Sequence, residues 1–199
     1  MPSLRERRYN GGFNWLTQAG EPPNGFPVGV SMLKAVFTIL ATTPDKIQRE
    51  IAAMSPRELR ARPAPDKWSV QEILAHLEDI EQPGFRARLQ AIVEQDRPLL
   101  PAFDQERRAV ERGYNRKDPR HTLASLTKRR KANLRWLRRL RPAQLGRKGV
   151  HENVGEMSAG EFLHEWAFHD LGHLKQILEG KRYALYPHIG NMRKYYRLS

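Results

Sequence analysis

Apolar residues recur at helical spacing along almost the whole chain from Met32 onward, and this pattern limits the possible folds most. In one such stretch Ile73, Leu77 and Ile80 share a helix face with His76. A recurrence every three or four positions is typical of a helix that is buried on one side. Alternating β-branched runs and hairpin turns do not stand out anywhere in the sequence. We therefore predict an all-α fold, a four-helix bundle with long loops.

Two serines, each followed three residues later by a glutamate, locate two helix starts. The serine side chain and the glutamate side chain satisfy each other's backbone donors at such a start. Thr43 followed by Pro44 predicts another start, because proline is well suited to the first helical position. Pro83 cannot donate to the carbonyl of Asp79, which predicts a kink or break one turn after His76. The two capping boxes are Ser69–Glu72 and Ser158–Glu161.

The first 31 residues differ from the rest of the chain. They contain the turn-rich segments NGG, EPPNG and FPVG and show no helical period. We predict a poorly ordered extension over residues 1–31, followed by a bundle domain with a C-terminal tail over residues 32–199. Met32 opens the first periodic stretch and is a candidate natural start of the protein.

Composition narrows the functional classes. The chain has no cysteine, so it forms no disulfide and offers no thiolate, and we expect a cytoplasmic protein. No apolar stretch reaches the roughly 18 residues that a membrane helix needs, so we expect no membrane partner. The net charge is +13, which keeps anionic partners, including nucleic acid, under consideration.

Three histidines are predicted to lie on inward helix faces. His169 and His173 are four residues apart, so their imidazoles can point to one place inside the bundle. His76 lies on the inner face of another helix. Buried histidines need a partner, which can be a divalent cation, a carboxylate or a backbone carbonyl. The pair alone is weak evidence for metal, but the third histidine favours a zinc or nickel site that keeps open positions.

Four further residues near this pattern have open roles. His164 lies five residues from His169 and therefore on a different face, which excludes a zinc-protease H-E-x-x-H motif. Glu165 is either a base, an orienting partner of His169 or a solvated glutamate. Asp170 is a poor ligand and a plausible hydrogen-bond partner between helices. Arg130 occupies a position among leucines, where it either extends to solvent, pairs with a buried carboxylate or binds an anionic substrate.

A basic run at residues 128–141 supports a rival function, the binding of nucleic acid. The simpler interpretation is a solvated helix face whose leucines pack inward. The run contains no recognised nucleic-acid-binding motif, and few aromatic residues alternate with its charges. We therefore rank nucleic acid below the metal site.

Several segments resemble the DinB/YfiT-like metalloenzymes. They are RPAPDKWSVQEILAHLEDIE, TKRRKANLRWLRRLRP with GVHENVGEMS, HEWAFHDLGHLKQI and the tail YPHIGNMRKYY, so that the similarity runs from Leu33 to the C-terminus. The resemblance implies an up-down-down-up four-helix bundle, often dimeric. It also implies a divalent metal on His76, His169 and His173.

The family resemblance leaves the reaction open. Its members include thiol-dependent S-transferases, thiol-dependent isomerases and proteins described as hydrolases, which implies a small-molecule substrate. The metal would activate either water or a low-molecular-weight thiol cofactor, with Glu165 and Arg130 as catalytic candidates and Arg130 as the binder of an acidic thiol. A metal-binding or stress-response module without catalysis remains the alternative, beside the basic-helix nucleic-acid binder.

Overall fold

Four long helical segments build the bundle, and a small sheet lies beside them. The structure is a computed structural model that describes residues 30–198, with the main chain alone for residues 30–32. The helices are α1 (Val30–Ile51), α2 (Pro56–Arg60), α3 (Val70–Ile80), α4 (Ala87–Glu94), α5 (Gln105–Glu111), α6 (Pro119–Leu137), α7 (Pro142–Leu145) and α8 (Ala159–Leu185). A π-helical segment, Glu81–Arg86, joins α3 to α4, and 3-10 turns cover Tyr114–Arg116, Tyr186–His188 and Gly190–Lys194. The strands are β1 (Leu99–Leu100), β2 (Lys148–His151) and β3 (Gly155–Ser158).

Two apolar clusters, one in each half of the bundle, fix the directions of the helices. One cluster joins the first halves of α1 and α8 to α4 and to the second half of α6. The other joins the second halves of α1 and α8 to α3 and to the first half of α6. The first and last helices therefore run one way and the two between them run the other way. This is the predicted up-down-down-up four-helix bundle.

The structure shows that the predicted helix start at Thr43 is wrong. α1 continues through Pro44, and the Thr43 hydroxyl donates to the carbonyl of Ile39 at 2.9 Å. Pro44 has no backbone N–H, so the carbonyl of Leu40 lacks its helical donor. Arg130 of α6 supplies the missing donor through Nη1 at 2.9 Å. A contact with another helix thus replaces the hydrogen bond that the proline removes.

The second long helix widens where the sequence predicted a kink or a break. Residues 81–86 form one π-helical stretch, and the chain passes through it from α3 into α4 without interruption. A Cβ atom on Gly84 would lie 2.1 Å from Cγ1 of Ile80, so only glycine fits there. His76 and Glu81 are five residues apart, so a regular α-helix would place them on different faces. The wider π-helical turn lets His76, Glu81 and Phe85 all point into the core. Such π-helical insertions are often found at functional sites.

The small sheet is absent from the prediction. β1 pairs parallel to β2, and β2 pairs antiparallel to β3, with Gly149 opposite Met157. The strands have two to four residues and lack the β-branched alternation on which strand prediction depends. Residues 97–118, predicted as a long loop from Pro98, Pro101, Gly113 and Pro119, contain β1, α5 and a 3-10 turn.

The predicted extension over residues 1–31 can be compared with the structure only at its last two residues. α1 begins at Val30, so residues 30 and 31 are helical, and the remainder of the extension lies outside the described residues. Within residues 30–198, no helix is long and apolar enough to cross a membrane.

Candidate metal centre

The three predicted histidines meet in the core of the bundle. Nε2 of His169 lies 3.1 Å from Nε2 of His76 and 3.2 Å from Nε2 of His173. α3 supplies His76, and α8 supplies the other two from successive turns of one face. His76 and His173 are fully buried, whereas His169 is partly exposed. We call these three residues the histidine cluster; it opens towards solvent on the side of His169.

Burial keeps the histidine cluster neutral. Desolvation lowers the pKa of His76 and of His173 well below the ordinary histidine value, and the neighbouring imidazoles lower it further. Desolvation also lowers the pKa of His169, to about 3, with a further contribution from the positive charge of Arg130. A neutral imidazole presents a nitrogen lone pair, which is the form that binds a metal ion.

The donor set fits a divalent ion. Three imidazole nitrogens about 2.0–2.1 Å from zinc would lie about 3.3 Å apart at tetrahedral angles and about 2.9 Å apart at right angles. The observed separations of 3.1 and 3.2 Å fall between these values. Among the described residues, these three side chains form the group whose ligand atoms lie close enough to share one ion.

Neighbouring groups orient the histidine cluster. Nδ1 of His173 lies 2.9 Å from Oε1 of Gln176 and donates a hydrogen bond to it. The proton is thereby assigned to Nδ1, and Nε2 carries the lone pair. Nδ1 of His76 is buried and has no hydrogen-bond partner among the described residues. Its ring is held by packing instead, with the Trp68 ring centroid 5.1 Å away and those of Phe103 and Tyr114 at 6.2 and 6.4 Å.

A charged network fixes the Tyr114 ring beside His76. The Tyr114 hydroxyl donates to Oδ2 of Asp79 at 2.6 Å, and Arg108 donates to both oxygens of the same carboxylate at 2.7 and 2.9 Å. Burial and the bond to Asp79 raise the pKa of Tyr114, so the phenol stays protonated. The network therefore fixes the Tyr114 ring beside His76 as a neutral phenol, and the Asp79 carboxylate that it contains is paired with Arg108.

Arg130 ties together the helices that carry the histidine cluster. Its side chain is fully buried, and it donates through Nε and Nη2 to Glu81 at 2.9 Å each. It donates to Asp170 through Nη1 at 2.5 Å and through Nη2 at 3.0 Å, and to the carbonyl of Leu40 through Nη1. Glu81 follows His76 in the second long helix, and Asp170 is the residue after His169. We call Arg130, Glu81 and Asp170 the arginine clamp.

The arginine clamp corrects one prediction for Arg130. All five of its N–H donors are used by protein acceptors, so none is available for an anionic substrate or thiol cofactor. Of the three open roles, pairing with buried carboxylates is the observed one, and Asp170 is the hydrogen-bond partner between helices that its position indicates. Glu81 was not predicted as a partner of Arg130; an arginine among leucines allows a buried acid as its partner, but nothing local identifies Glu81 as that acid.

Glu165 lies one turn before His169 and reaches solvent. Desolvation by the surrounding protein raises its pKa to about 7, Arg88 opposes this rise, and Asp170 adds to it. A carboxyl with this pKa exchanges its proton readily near neutral pH. Arg88 also lowers the pKa of His151, so Arg88 lies near both groups.

A cavity of about 300 Å³ lies between α4 and β1 with the residues that follow it, and Phe103 links it to the histidine cluster. The Phe103 ring lines the cavity and also packs edge-on against His76. Arg88 is its one charged lining residue. The apolar lining is formed by Pro83, Ala87, Ala91, Leu99, Leu100, Pro101, Ala102 and Phe103.

The other histidines stand apart from the cluster. His164 is exposed, and its Nδ1 bonds to the carbonyl of Gly160 at 2.8 Å, which agrees with the excluded protease motif. His121 and His188 are exposed, and His151 is partly exposed on β2.

Comparison with known proteins assigns the family. The model of the DinB superfamily matches residues 39–177, which contain all three histidines and the arginine clamp. The chain belongs to the DinB superfamily. A similar protein of Oceanobacillus iheyensis, named as a candidate metal-dependent hydrolase, is 25% identical over 164 residues. The alignment covers 76% of this chain and 92% of that protein.

A solved structure shares the fold of this DinB-superfamily chain. YfiT from Bacillus subtilis, described as a probable metal-dependent hydrolase with an unusual four-helix bundle topology, superposes with a TM-score of 0.73 at 20% identity. The match covers 82% of this chain and 93% of YfiT. At this identity the similarity establishes the four-helix bundle, and it leaves the reaction to be argued from the site.

Proposed function

We propose that the protein is a divalent-metal-dependent hydrolase whose ion, zinc or nickel, is held by His76, His169 and His173. The observation that carries the proposal is the convergence of three neutral imidazoles, with Nε2 of His169 lying 3.1 Å from Nε2 of His76 and 3.2 Å from Nε2 of His173. A site with three protein ligands keeps positions open for water or substrate, as catalytic zinc sites do. The descriptions of the Oceanobacillus protein and of YfiT as metal-dependent hydrolases support the same class.

The residues around the ion have separate roles in this proposal. A bound divalent ion supplies Lewis acidity, which makes water a nucleophile near neutral pH. The Glu165 carboxylate accepts the proton of the attacking water and then returns it to the leaving group. Its pKa of about 7 populates both forms at neutral pH, as an acid–base residue requires. Gln176 keeps His173 in the ligating tautomer.

Transfer of a thiol is the competing reaction, and the side chains favour hydrolysis over it. The thiol-transfer interpretation gives Arg130 the task of holding an acidic thiol cofactor. Because the guanidinium is saturated by Glu81, Asp170 and Leu40, Arg130 has no donor left for that task. Hydrolysis needs only water and a base, and Glu165 supplies the base.

The cavity beside Phe103 suggests how a small-molecule substrate is held. An apolar part of the substrate fits the alanine, proline and leucine lining, while Arg88 meets a polar or anionic group at its edge. The scissile ester or amide then lies on the far side of Phe103, towards the histidine cluster.

We propose a homodimer that forms through the outer face of α8. Phe168, Leu171, Leu178 and Leu185 lie three, seven and seven residues apart and share one face of α8, with exposures of 64%, 43%, 47% and 63%. The seven-residue repeat is that of a helix-pairing seam, in which Lys175 and Arg182 hold the intervening positions. A second copy of the same helix would cover these side chains. Light scattering should give a dimer mass for the wild type and a monomer mass for Phe168→Glu/Leu178→Glu; a monomeric wild type contradicts this proposal.

The reaction is tested on tag-free protein loaded with zinc or nickel. Activated esters and anilides are compared with an electrophilic dye plus a low-molecular-weight thiol, each with and without a chelator. We expect hydrolysis that requires metal and disappears in His169→Ala/His173→Ala. Thiol conjugation without hydrolysis would identify the protein as a transferase, and retention of hydrolysis in the double variant would exclude the histidine cluster as its site.

A further inference from the structure

The positive charge of the protein is concentrated in one acid-free segment. Residues 119–151 contain eleven lysines and arginines and no aspartate or glutamate, so this run carries eleven of the thirteen net positive charges. The remainder of the chain is nearly balanced. A solvated helix face normally mixes both signs, because acids and bases at helical spacing stabilise each other. The absence of acids therefore needs a different explanation.

The fold places five of these cations in one row on the outside of α6, the last of them at the residue that caps its C-terminal end. At 100° per residue they fall within an arc of about 80°, and the row is about 27 Å long. All five are exposed. We call the row the basic stripe; it consists of Arg120, Lys128, Lys131, Arg135 and Arg138.

The basic stripe has no acidic partner within the described part of the chain, whereas its neighbours do. Arg129, on the flank of the same helix, pairs with Glu78 at 3.0 Å, and Arg130, on its inner side, pairs with Glu81 and Asp170. No residue of the stripe forms an ion pair with any described residue. Like charges at this spacing repel and destabilise the helix, and an anionic partner would remove that repulsion.

We propose that the basic stripe binds the phosphate backbone of double-stranded DNA without sequence preference. A duplex carries closely and regularly spaced phosphates along a rigid line, which suits a rigid row of cations on a straight helix. The arc contains no asparagine or glutamine, the side chains that read adenine, so specific recognition of adenine is not expected from it.

Single-stranded nucleic acid fits this surface less well, because it is normally held by exposed aromatic rings. Trp136 is the aromatic residue of α6, and the guanidinium of Arg86 covers its ring at 3.5 Å. The Trp136 ring is therefore already stacked. The stripe offers positive charge without exposed aromatic rings on which bases could stack, as expected for a protein surface that binds a duplex.

This binding function is separate from the histidine cluster. The cluster is built on α3 and α8, whereas the stripe lies on the face of α6 that points away from its contacts with α1 and α3. Substitutions in the stripe should therefore leave metal binding intact. The proposal does not depend on the hydrolase proposal.

The test measures binding of the full chain to a fluorescent 20-base-pair duplex by anisotropy across a salt series. Five phosphate contacts predict a slope of log K against log salt of about −4.5, or an affinity loss of about 500-fold between 50 and 200 mM salt. Lys128→Gln/Lys131→Gln/Arg135→Gln/Arg138→Gln leaves one contact and should reduce the slope to about −0.9. A control variant with the same loss of charge changes Lys46, Arg49, Arg57 and Lys194 to glutamine; these four are exposed and outside the stripe.

The outcomes separate local recognition from bulk charge. A slope near −4.5 in the wild type and the control variant, with a slope near −0.9 in the stripe variant, supports the proposal. Equal weakening in both variants shows that net charge alone drives binding and overturns it. Absence of binding at 50 mM salt also overturns it, as does stripe-dependent binding of single-stranded RNA without binding of the duplex. Unchanged circular dichroism and metal stoichiometry confirm that each variant is folded.

Discussion

Replacing Arg130 with methionine should strongly destabilise the protein. The guanidinium provides five hydrogen bonds of 2.5–3.0 Å, and its loss leaves the carboxylates of Glu81 and Asp170 fully buried without a counter-charge. Removing one partner of a buried ion pair costs about 3–5 kcal/mol. For a domain of this size that corresponds to a fall in melting temperature of roughly 6–20 °C. Leu40 also loses the donor that replaces the missing N–H of Pro44.

A second variant separates stability from site geometry. Arg130→Met/Glu81→Leu/Asp170→Leu removes all three charges, and apolar replacement of a buried ion network is often neutral or stabilising. We expect the triple variant to recover most of the lost stability but to bind zinc more weakly, because the clamp no longer aligns the two ligand-bearing helices. Urea denaturation and zinc titration measure the two effects. An Arg130→Met variant within about 1 kcal/mol of the wild type would refute the reasoning on stability, and wild-type zinc affinity in the triple variant would refute the alignment role.

Three further predictions concern protonation and packing. In chelator-treated protein, the lowered pKa values of the histidine cluster mean that only the unfolded chain takes up protons as the pH decreases below about 6.5. The free energy of unfolding in urea should therefore decrease by up to about 1.4 kcal/mol per histidine for each pH unit of acidification. Equal stability at pH 7 and pH 5 would contradict this. Because Glu165 must be ionised to act as a base, kcat should rise with pH through about 7, and Glu165→Gln should lose this limb and about 10²–10⁴-fold in rate; a surviving limb would exclude Glu165. Gly84→Ala forces a Cβ into Ile80 and should cost about 1–3 kcal/mol, whereas Gly180→Ala meets only ordinary contacts and should be neutral or slightly stabilising in thermal unfolding.

Local signals were sufficient to place the helices that carry the histidine cluster. The capping boxes at Ser69 and Ser158 are both present, with each serine accepting from the backbone N–H three residues later. Helical spacing then brings His169 and His173 to one face. The inward face of α3 adds His76. These features depend on short-range geometry, which a sequence expresses directly.

The contacts between helices could not be predicted in the same way. Pro44 signals a helix start by local rules, but Arg130 supplies a donor from another helix and α1 continues. Pro83 and Gly84 mark an irregularity, but only the packing of Ile80 and the inward direction of Glu81 show that it is a π-helical turn. The choice among three roles for Arg130 likewise required the positions of its partners.

The central claim is that the histidine cluster binds a metal ion, and elemental analysis of tag-free protein tests it most directly. The protein is measured as purified and after incubation with zinc or nickel, beside His169→Ala/His173→Ala treated identically. We predict about one divalent ion per chain, absent from the double variant. A wild-type protein that stays metal-free after incubation would contradict the claim, and the three histidines would then be neutral core residues that pack against one another.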